Sequence, residues 1–246
     1  MRDADDSRFG GPFLGVLGGM GPMAGAVFME RLTALTPGSV DQAHVPAILW
    51  SDPRIPDRPA GRAGMGPDPL PWMRNGMRHL ERAGARAIVI PCNTAHVWYD
   101  ALAAAVSVPV LHIVSAVVDD LRRQGVARGR IGLLGTATTL RLALYQRELT
   151  RLGYTCVVPD EDELARHCAE SIRLVKMNHL IDARGPATEA VVSLLRRRVD
   201  AVVLGCTELP LALPHAVRGE FGTVMTDSID ALALAAIAWH AAAVGS

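Results

Sequence analysis

The sequence predicts an α/β fold with two pseudo-symmetric domains, each built on a parallel sheet and related to the other by internal duplication. Short apolar runs alternate with longer helical patterns, which is typical of βαβ units around a parallel sheet. Several runs are β-branched throughout rather than alternating, as expected for strands that helices cover on both faces. Two sequence landmarks also occur twice along the chain, at nearly equal spacing.

The elements follow from these runs in order. Strands are predicted at Phe13–Leu17, Val45–Trp50, Ala87–Ile90, Val110–Ile113, Ile131–Leu134, Thr155–Val158, Ala201–Leu204 and Thr223–Met225. Helices are predicted after Pro22, from Pro71 to Ala83, after Asn93, and over Ser115–Gln124, Thr139–Leu152, Glu161–Val175, Pro186–Arg198 and Ser228 to the end.

The repeated landmarks define the duplication. FLGVLGGMGP is similar to RIGLLGTATT, and ARAIVIPCNT is similar to VDAVVLGCTE. Gly18 and Cys92 are 74 residues apart, and Gly135 and Cys206 are 71 residues apart. We expect a first domain over 13–115 that the last segment, 225–246, completes, and a second domain over 116–224, with the active site in the cleft between them. The alternative is one continuous Rossmann-like sheet.

The segment 51–71 is rich in proline and glycine, so it predicts no regular element. It is longer than an ordinary loop, which indicates either a functional lid or a poorly ordered surface loop. Its three arginines, at positions 54, 58 and 62, favour a lid that meets an anion.

Composition excludes several classes of partner. The 246 residues carry 25 basic and 25 acidic side chains, so the chain lacks the basic surface that nucleic acids and anionic membranes require. The first residues show no apolar secretion signal, and Ile229–Val244 is too short and too rich in alanine to span a bilayer. We therefore expect a cytoplasmic protein.

No cofactor is predicted. The four cysteines and eight histidines show neither a C-x-x-C nor an H-x-x-x-H pattern for a metal ion. The turn with Gly19, Gly21 and Ala24 fits a loose dinucleotide pattern, but no acidic residue follows at the required place. This turn is expected to hold a small anion.

Cys92 and Cys206 are the candidate reactive groups. Each follows a predicted strand and precedes a helix, at the strand ends where α/β proteins bind ligands. A helix N-terminus is expected to lower the pKa of a thiol towards neutrality. If the two units face each other, the thiols approach one carbon from opposite sides and can invert it. Cys156 and Cys168 lack this context and are expected to pack in the core.

Lys176 is a candidate ligand-binding residue. It is the only lysine of the chain, and the other 24 basic residues are arginines. A compact ammonium group in a chain with no other lysine indicates a site that a guanidinium does not suit.

Together these motifs resemble the aspartate/glutamate racemase family, whose members use two cysteines and no cofactor. The matching segments run along nearly the whole chain: GVLGGMGP (15–22), IPDR (55–58), IPCNTAH (90–96), LHIV (111–114), the lysine of RLVKMNHL (173–180), GCTELPL (205–211) and TDSID (226–230).

The resemblance implies roles for eight residues and a homodimer. Cys92 and Cys206 would be the acid/base thiols. Asn93, Thr94 and Thr207 would hold the α-carboxylate and amino group, Arg58 and Lys176 the side-chain carboxylate, and Met20 would line the pocket. The expected activity is racemisation of aspartate or glutamate without cofactor or metal. The alternatives are a cysteine-dependent decarboxylase or cis–trans isomerase, and a non-catalytic protein that binds an acidic metabolite.

Overall fold

The computed structural model describes residues 11–245 and contains two parallel sheets. The strands are β1 Leu14–Gly18, β2 Ala47–Ser51, β3 Ala87–Val89, β4 Gly129–Leu134, β5 Tyr154–Val157, β6 Ala201–Leu204 and β7 Val224–Asp227. Their order is β2-β1-β3 in the first sheet and β5-β4-β6-β7 in the second, with every neighbouring pair parallel. The predicted α/β class with two sheets is confirmed, and the alternative of one continuous sheet is wrong.

Helices cover both sheets. The α-helices are α1 Pro22–Leu35, α2 Arg58–Arg62, α3 Leu70–Arg82, α4 Tyr99–Ala103, α5 Ile113–Arg123, α6 Ala137–Arg141, α7 Gln146–Arg151, α8 Glu161–Glu163, α9 Glu170–Lys176, α10 Leu180–Arg196, α11 Leu209–Ala212, α12 His215–Arg218 and α13 Ser228–Val244. A 3-10 helix, Thr94–Trp98, precedes α4, and a π-helical segment, Leu164–Ala169, joins α8 to α9.

The two sheets follow one plan, consistent with internal duplication. β1 and β4 occupy equivalent places, with β2 and β5 on one side and β3 and β6 on the other. At the fourth place, β7 pairs with β6 in the second sheet, while the first has a single parallel bridge between Ile88 and Val110. α5 follows that bridge as α13 follows β7, and the two helices pack together.

The strand predicted over Val110–Ile113 is therefore wrong beyond its first residue. Backbone hydrogen bonds join Ile88 to Pro109 and Leu111, but the chain then turns into α5. His112 causes this turn because its Nδ1 accepts a hydrogen bond from the Val114 N–H and caps the helix.

The prediction that 51–71 holds no regular element is also wrong. α2 lies in the middle of this segment, and α3 begins at Leu70. Asp57 caps α2 by accepting a hydrogen bond of 2.8 Å from the Ala60 N–H, and Pro59 falls in the first turn, where its missing N–H costs nothing.

Three predicted helices differ in their course. The one expected over Thr139–Leu152 breaks into α6 and α7 at Ala143, whose φ is +53°, and this break sends Tyr145 into the core. The one expected over Glu161–Val175 contains the π-helical segment. The one expected from Pro186 begins six residues earlier, so a proline that signalled a helix start lies inside α10.

The last helix joins the two halves. α13 packs against α1 and α5, and Arg31 of α1 donates two hydrogen bonds, of 2.6 and 2.8 Å, to Asp230. β7, which precedes α13, belongs to the second sheet.

The predicted domain boundaries stay a prediction. Their last residue, Ser246, lies outside the described residues. The start of the chain, where no secretion signal is expected, also lies outside them. No helix within residues 11–245 is long and apolar enough to cross a membrane.

Candidate active site

One small cavity lies where the carboxyl ends of β3 and β6 meet. All eight residues singled out in the sequence line it. The lining residues are Met20, Arg58, Pro59, Cys92, Asn93, Thr94, Thr136, Lys176, Cys206, Thr207 and Glu208. A larger cleft shares Arg58, Lys176 and Glu208 with the cavity. These three side chains therefore stand between the cavity and the outer cleft.

The glycine turn after β1 brings Met20 to the cavity. Gly19 has φ +89°, and a Cβ built on it would lie 2.4 Å from the backbone of Asp52. Only glycine allows both this conformation and this close approach. Met20, which follows, is 3% exposed.

Cys92 is buried between the end of β3 and the 3-10 helix, with 5% of its surface exposed. Burial raises the pKa of its thiol, because a thiolate loses solvation inside the protein. Arg58 and Lys176 act in the opposite direction and favour the thiolate, whereas Glu208 adds to the rise.

Cys206 has the same degree of burial but a different neighbour. It is 4% exposed, and its thiol donates a hydrogen bond to Oε2 of Glu208 at 2.9 Å. Burial raises the pKa of this thiol well above its usual value, and the charge of Glu208 raises it further. The same oxygen accepts a hydrogen bond of 3.3 Å from the Thr207 hydroxyl.

The expectation that helix N-termini lower both thiol pKa values is therefore wrong. The helix after Cys206 has only four residues, and the one after Cys92 is a 3-10 helix, so neither offers a long aligned dipole. Burial outweighs what they contribute, because removing a thiolate from water is the larger effect.

Arg58 is fixed by the turn that precedes it. Its Nη1 donates to the carbonyls of Ile55 and Pro56 at 2.9 and 2.8 Å. Its Nε is buried and has no hydrogen-bond partner. A buried guanidinium N–H without a partner is costly, so its presence in a cavity wall indicates room for an acceptor. Lys176 forms no hydrogen bond or ion pair with any other described residue.

The three arginines of segment 51–71 thus have separate surroundings. Arg54 is exposed and forms an ion pair with Asp52 at 2.8 Å. Arg62 lines a different pocket beside the 3-10 helix. Only Arg58 reaches the cavity.

Asn93 connects the two halves through its amide group. Its Oδ1 accepts a short hydrogen bond from the Tyr145 hydroxyl, and its Nδ2 donates to Oγ of Ser228 at 2.8 Å. All three side chains are buried. One Nδ2 hydrogen remains for a ligand.

Thr94 makes a second connection between the halves. Its hydroxyl lies 3.0 Å from that of Thr136 and 3.3 Å from that of Thr139, which are themselves 2.9 Å apart. Thr136 also accepts a hydrogen bond from the Thr139 N–H and so caps α6. The three hydroxyls form one cluster beside the cavity.

His96 supports the backbone of Cys92. Its Nε2 accepts from the Ile113 N–H at 3.2 Å, so its Nδ1 carries the proton and donates to the Cys92 carbonyl at 2.9 Å. Burial, together with the nearby His112, lowers the pKa of His96 from 6.5 to about 3. The ring is therefore neutral in the folded protein at any pH near neutrality.

We expect this burial to make stability depend on pH. The unfolded chain takes up a proton at His96 near pH 6.5, and the folded protein does so only near pH 3. The stabilisation is thus complete above pH 6.5 and falls as the pH decreases towards 3, by about 1.4 kcal/mol per pH unit at the limit. Urea unfolding across this range measures the slope. His96→Asn should flatten it, whereas the same change at the exposed His179 should not. An unchanged slope in His96→Asn contradicts the assignment.

Three lining residues were not predicted as site residues. Glu208 belongs to the matching segment GCTELPL but was given no role there, although it stands two positions after Cys206. Thr136 belongs to the second copy of the glycine turn, so the duplication itself could have identified it. Nothing in the sequence singles out Pro59 except that it follows Arg58. The other two cysteines do not line the cavity: Cys168 is fully buried, and Cys156 lies partly exposed in β5.

One group of side chains outside the cavity has the spacing of metal ligands. His215, Asp227 and Asp230 lie close together. Arg218 forms an ion pair with Asp227 at 2.6 Å, and Arg31 forms one with Asp230, so both carboxylates already have cationic partners. This group is a network of ion pairs at the start of α13.

Comparisons with known proteins agree with this arrangement. The Asp/Glu/hydantoin racemase family model matches residues 17–236. The broad specificity amino-acid racemase RacX of Bacillus subtilis is 26% identical over 208 residues, which cover 82% of this chain and 88% of that protein. A glutamate racemase of Levilactobacillus brevis is 29% identical over 57% of this chain and 51% of its own length, so the chain matches about half of that relative.

Solved structures extend the match to the whole fold. Picrophilus torridus aspartate racemase is similar with a TM-score of 0.82 and 31% identity, over 94% of this chain and 95% of that one. The Francisella tularensis glutamate racemase, at 16% identity and a TM-score of 0.68, shares the fold. The chain therefore belongs to the Asp/Glu/hydantoin racemase family and is an amino-acid racemase, an enzyme of the isomerase class.

Proposed function

We propose that the protein interconverts the enantiomers of aspartate or glutamate with Cys92 and Cys206 as its two acid/base groups. The supporting observation is that two thiols from equivalent places in the two halves line one small cavity. Neither thiol pairs with another cysteine, so both are available as acids or bases.

The proposed reaction moves two protons. A thiolate on one side takes the α-proton, so the C–H bond breaks, an S–H bond forms and the electron pair stays on the substrate. The thiol on the other side then gives its proton to the opposite face of the carbon, and the configuration inverts. A pair of like groups suits this reaction, because substrate and product are mirror images.

The negative charge that develops on the substrate needs stabilisation. We propose that Asn93, Thr94 and Thr207 hold the α-carboxylate and the amino group, while Met20 closes the pocket. The remaining Nδ2 hydrogen of Asn93 and the hydroxyl cluster around Thr94 supply fixed polar groups, whose orientation costs nothing at the moment of reaction.

The preference for an acidic substrate is proposed from Arg58 and Lys176. The unpartnered Nε of Arg58 and the unpaired ammonium of Lys176 both lie at the cavity wall, where a side-chain carboxylate satisfies them. This preference agrees with the similarity to a protein named aspartate racemase.

The test is to incubate the purified protein, without added cofactor, with each enantiomer of aspartate, glutamate and a panel of neutral amino acids. We expect chiral chromatography to show both enantiomers of aspartate or glutamate. In D₂O the α-position should gain deuterium without loss of carbon dioxide, which separates racemisation from decarboxylation. Ligand-induced stabilisation without turnover would instead support the non-catalytic alternative. The homodimer and the cytoplasmic location expected from the sequence stay predictions.

A further inference from the structure

Glu208 is a buried carboxylate that the proposed reaction does not use. It is 5% exposed and lies in the walls of both the cavity and the outer cleft. No arginine, lysine or histidine within residues 11–245 forms an ion pair with it. Its Oε2 instead accepts hydrogen bonds from the Cys206 thiol and the Thr207 hydroxyl. A carboxylate buried in this way needs such donors, because it has lost its water.

The two thiols differ in charge environment and not in burial. Cys92 and Cys206 are 5% and 4% exposed, so desolvation acts on both. Glu208 disfavours a thiolate at both sulfur atoms, but it forms a hydrogen bond with Cys206, whereas Arg58 and Lys176 favour a thiolate at Cys92. The duplicated fold thus presents two equivalent sulfur atoms to unlike charges.

The other titratable groups around Cys206 do not remove this difference. Burial raises the pKa of Tyr145, and it raises that of Cys168 to about 12, so both are neutral in the pH range of interest. Asp227, paired with Arg218, adds negative charge near Tyr145. Cys92, Arg58 and Lys176 also line the cavity.

We propose that Glu208 makes the two thiols unequal, holding Cys206 as a protonated thiol so that Cys206 is the proton donor and Cys92 the proton acceptor of the substrate-free protein. This inference deepens the proposed racemisation and rests on it for its catalytic meaning.

The inequality has a consequence for the catalytic cycle. In the favoured direction, Cys92 ends with the α-proton and Cys206 ends as a thiolate beside the Glu208 carboxylate. Two adjacent buried anions repel each other, so this product form is unstable. Cys206 then takes up a proton from solvent and Cys92 releases one to solvent, which restores the starting form. Glu208 therefore favours the return of the protein to one protonation state.

The test is the pH profile of thiol alkylation, measured without substrate. The protein is treated with iodoacetamide over a range of pH, and each cysteine is quantified by peptide mass spectrometry. Glu208→Gln replaces the carboxylate with an uncharged amide of similar size, whose oxygen can still accept the hydrogen bond from the Cys206 thiol. We expect the pH midpoint of alkylation at Cys206 to fall by about one unit or more, because the substitution removes a negative charge beside the thiolate. The midpoint for Cys92 should fall less, and that for Cys156 in β5 should not change.

A Cys206 midpoint that stays in place in Glu208→Gln overturns the inference, as does an equal fall at Cys92 and Cys206. If this variant does not fold, Glu208→Asp, which withdraws the carboxylate by one methylene group, should move the Cys206 midpoint in the same direction by a smaller amount. The experiment needs no turnover. A wild-type protein that racemises no amino acid would overturn the proposed function and leave this thiol result intact.

Discussion

Replacing either Cys92 or Cys206 with alanine should lower kcat/KM for racemisation by about 1000-fold or more, because each thiol is proposed to perform one of the two proton transfers. The expected loss is similar for the two variants, since inversion requires a proton to leave one face of the carbon and another to arrive at the opposite face. Chiral chromatography with purified L- and D-aspartate measures the loss.

The two variants should differ in isotope exchange. A protein that retains one thiol can still remove an α-proton and return a solvent deuteron on the same face. Each single variant should therefore exchange the α-proton of one enantiomer without inverting it, and the two variants should select opposite enantiomers. Proton NMR in D₂O detects this exchange directly. The same enantiomer exchanging in both variants is incompatible with thiols on opposite faces.

Cys156→Ala is the matched control, because Cys156 is a free cysteine that lies in β5 and does not line the cavity. Its activity should equal that of the unaltered protein. A large loss in this control, or full racemisation by Cys92→Ala or Cys206→Ala, contradicts the two-thiol proposal.

The sequence was sufficient to predict which residues come together, but not the direction in which the pKa values of the two thiols shift. The duplicated landmarks placed Cys92 and Cys206 at equivalent strand ends, and parallel sheets bring such ends to one edge. The thiol pKa directions could not be read in the same way, because they depend on how completely the fold removes water from each sulfur. Glu208 shows the limit well: its proximity to Cys206 is visible in the sequence, but the direction of its side chain is not.

The course of several helices was equally beyond the local sequence. Ala143 carries no turn signal, yet it adopts φ +53° so that Tyr145 can reach Asn93 of the other half. Tertiary contacts of this kind override helix propensity. Pro186 was interpreted as a helix start, whereas α10 tolerates it after one and a half turns. Long apolar strands with helices on both faces were predicted well, because burial on both faces requires a continuous apolar run.

Arg58→Gln should weaken the preference for an acidic side chain and leave only the part that Lys176 provides. The guanidinium is anchored at Nη1 by two backbone carbonyls and leaves Nε without a partner at the cavity. Truncating a buried, hydrogen-bonded charge pair costs about 2–5 kcal/mol, so kcat/KM for aspartate should fall by about 100-fold.

The loss of Arg58 also acts on the thiol, because the arginine favours the thiolate of Cys92. This second effect lowers the rate for every substrate and must be separated from side-chain recognition. Asparagine is the neutral substrate closest in shape to aspartate, so the ratio of kcat/KM for the two cancels any change at Cys92. We expect this ratio to be about 100 in the unaltered protein and to fall by about tenfold or more in Arg58→Gln, with Lys176 accounting for the preference that remains.

Arg54→Gln provides the control within the same segment. Arg54 is exposed and paired with Asp52, so its replacement should leave the aspartate-to-asparagine ratio unchanged. An unchanged ratio in Arg58→Gln would contradict a role of Arg58 in recognising the side-chain carboxylate and would leave Lys176 as the cation proposed to bind it. An aspartate-to-asparagine ratio near one in the unaltered protein would mean that the side-chain carboxylate does not contact the free edge of the Arg58 guanidinium. That result would agree with a broad substrate range.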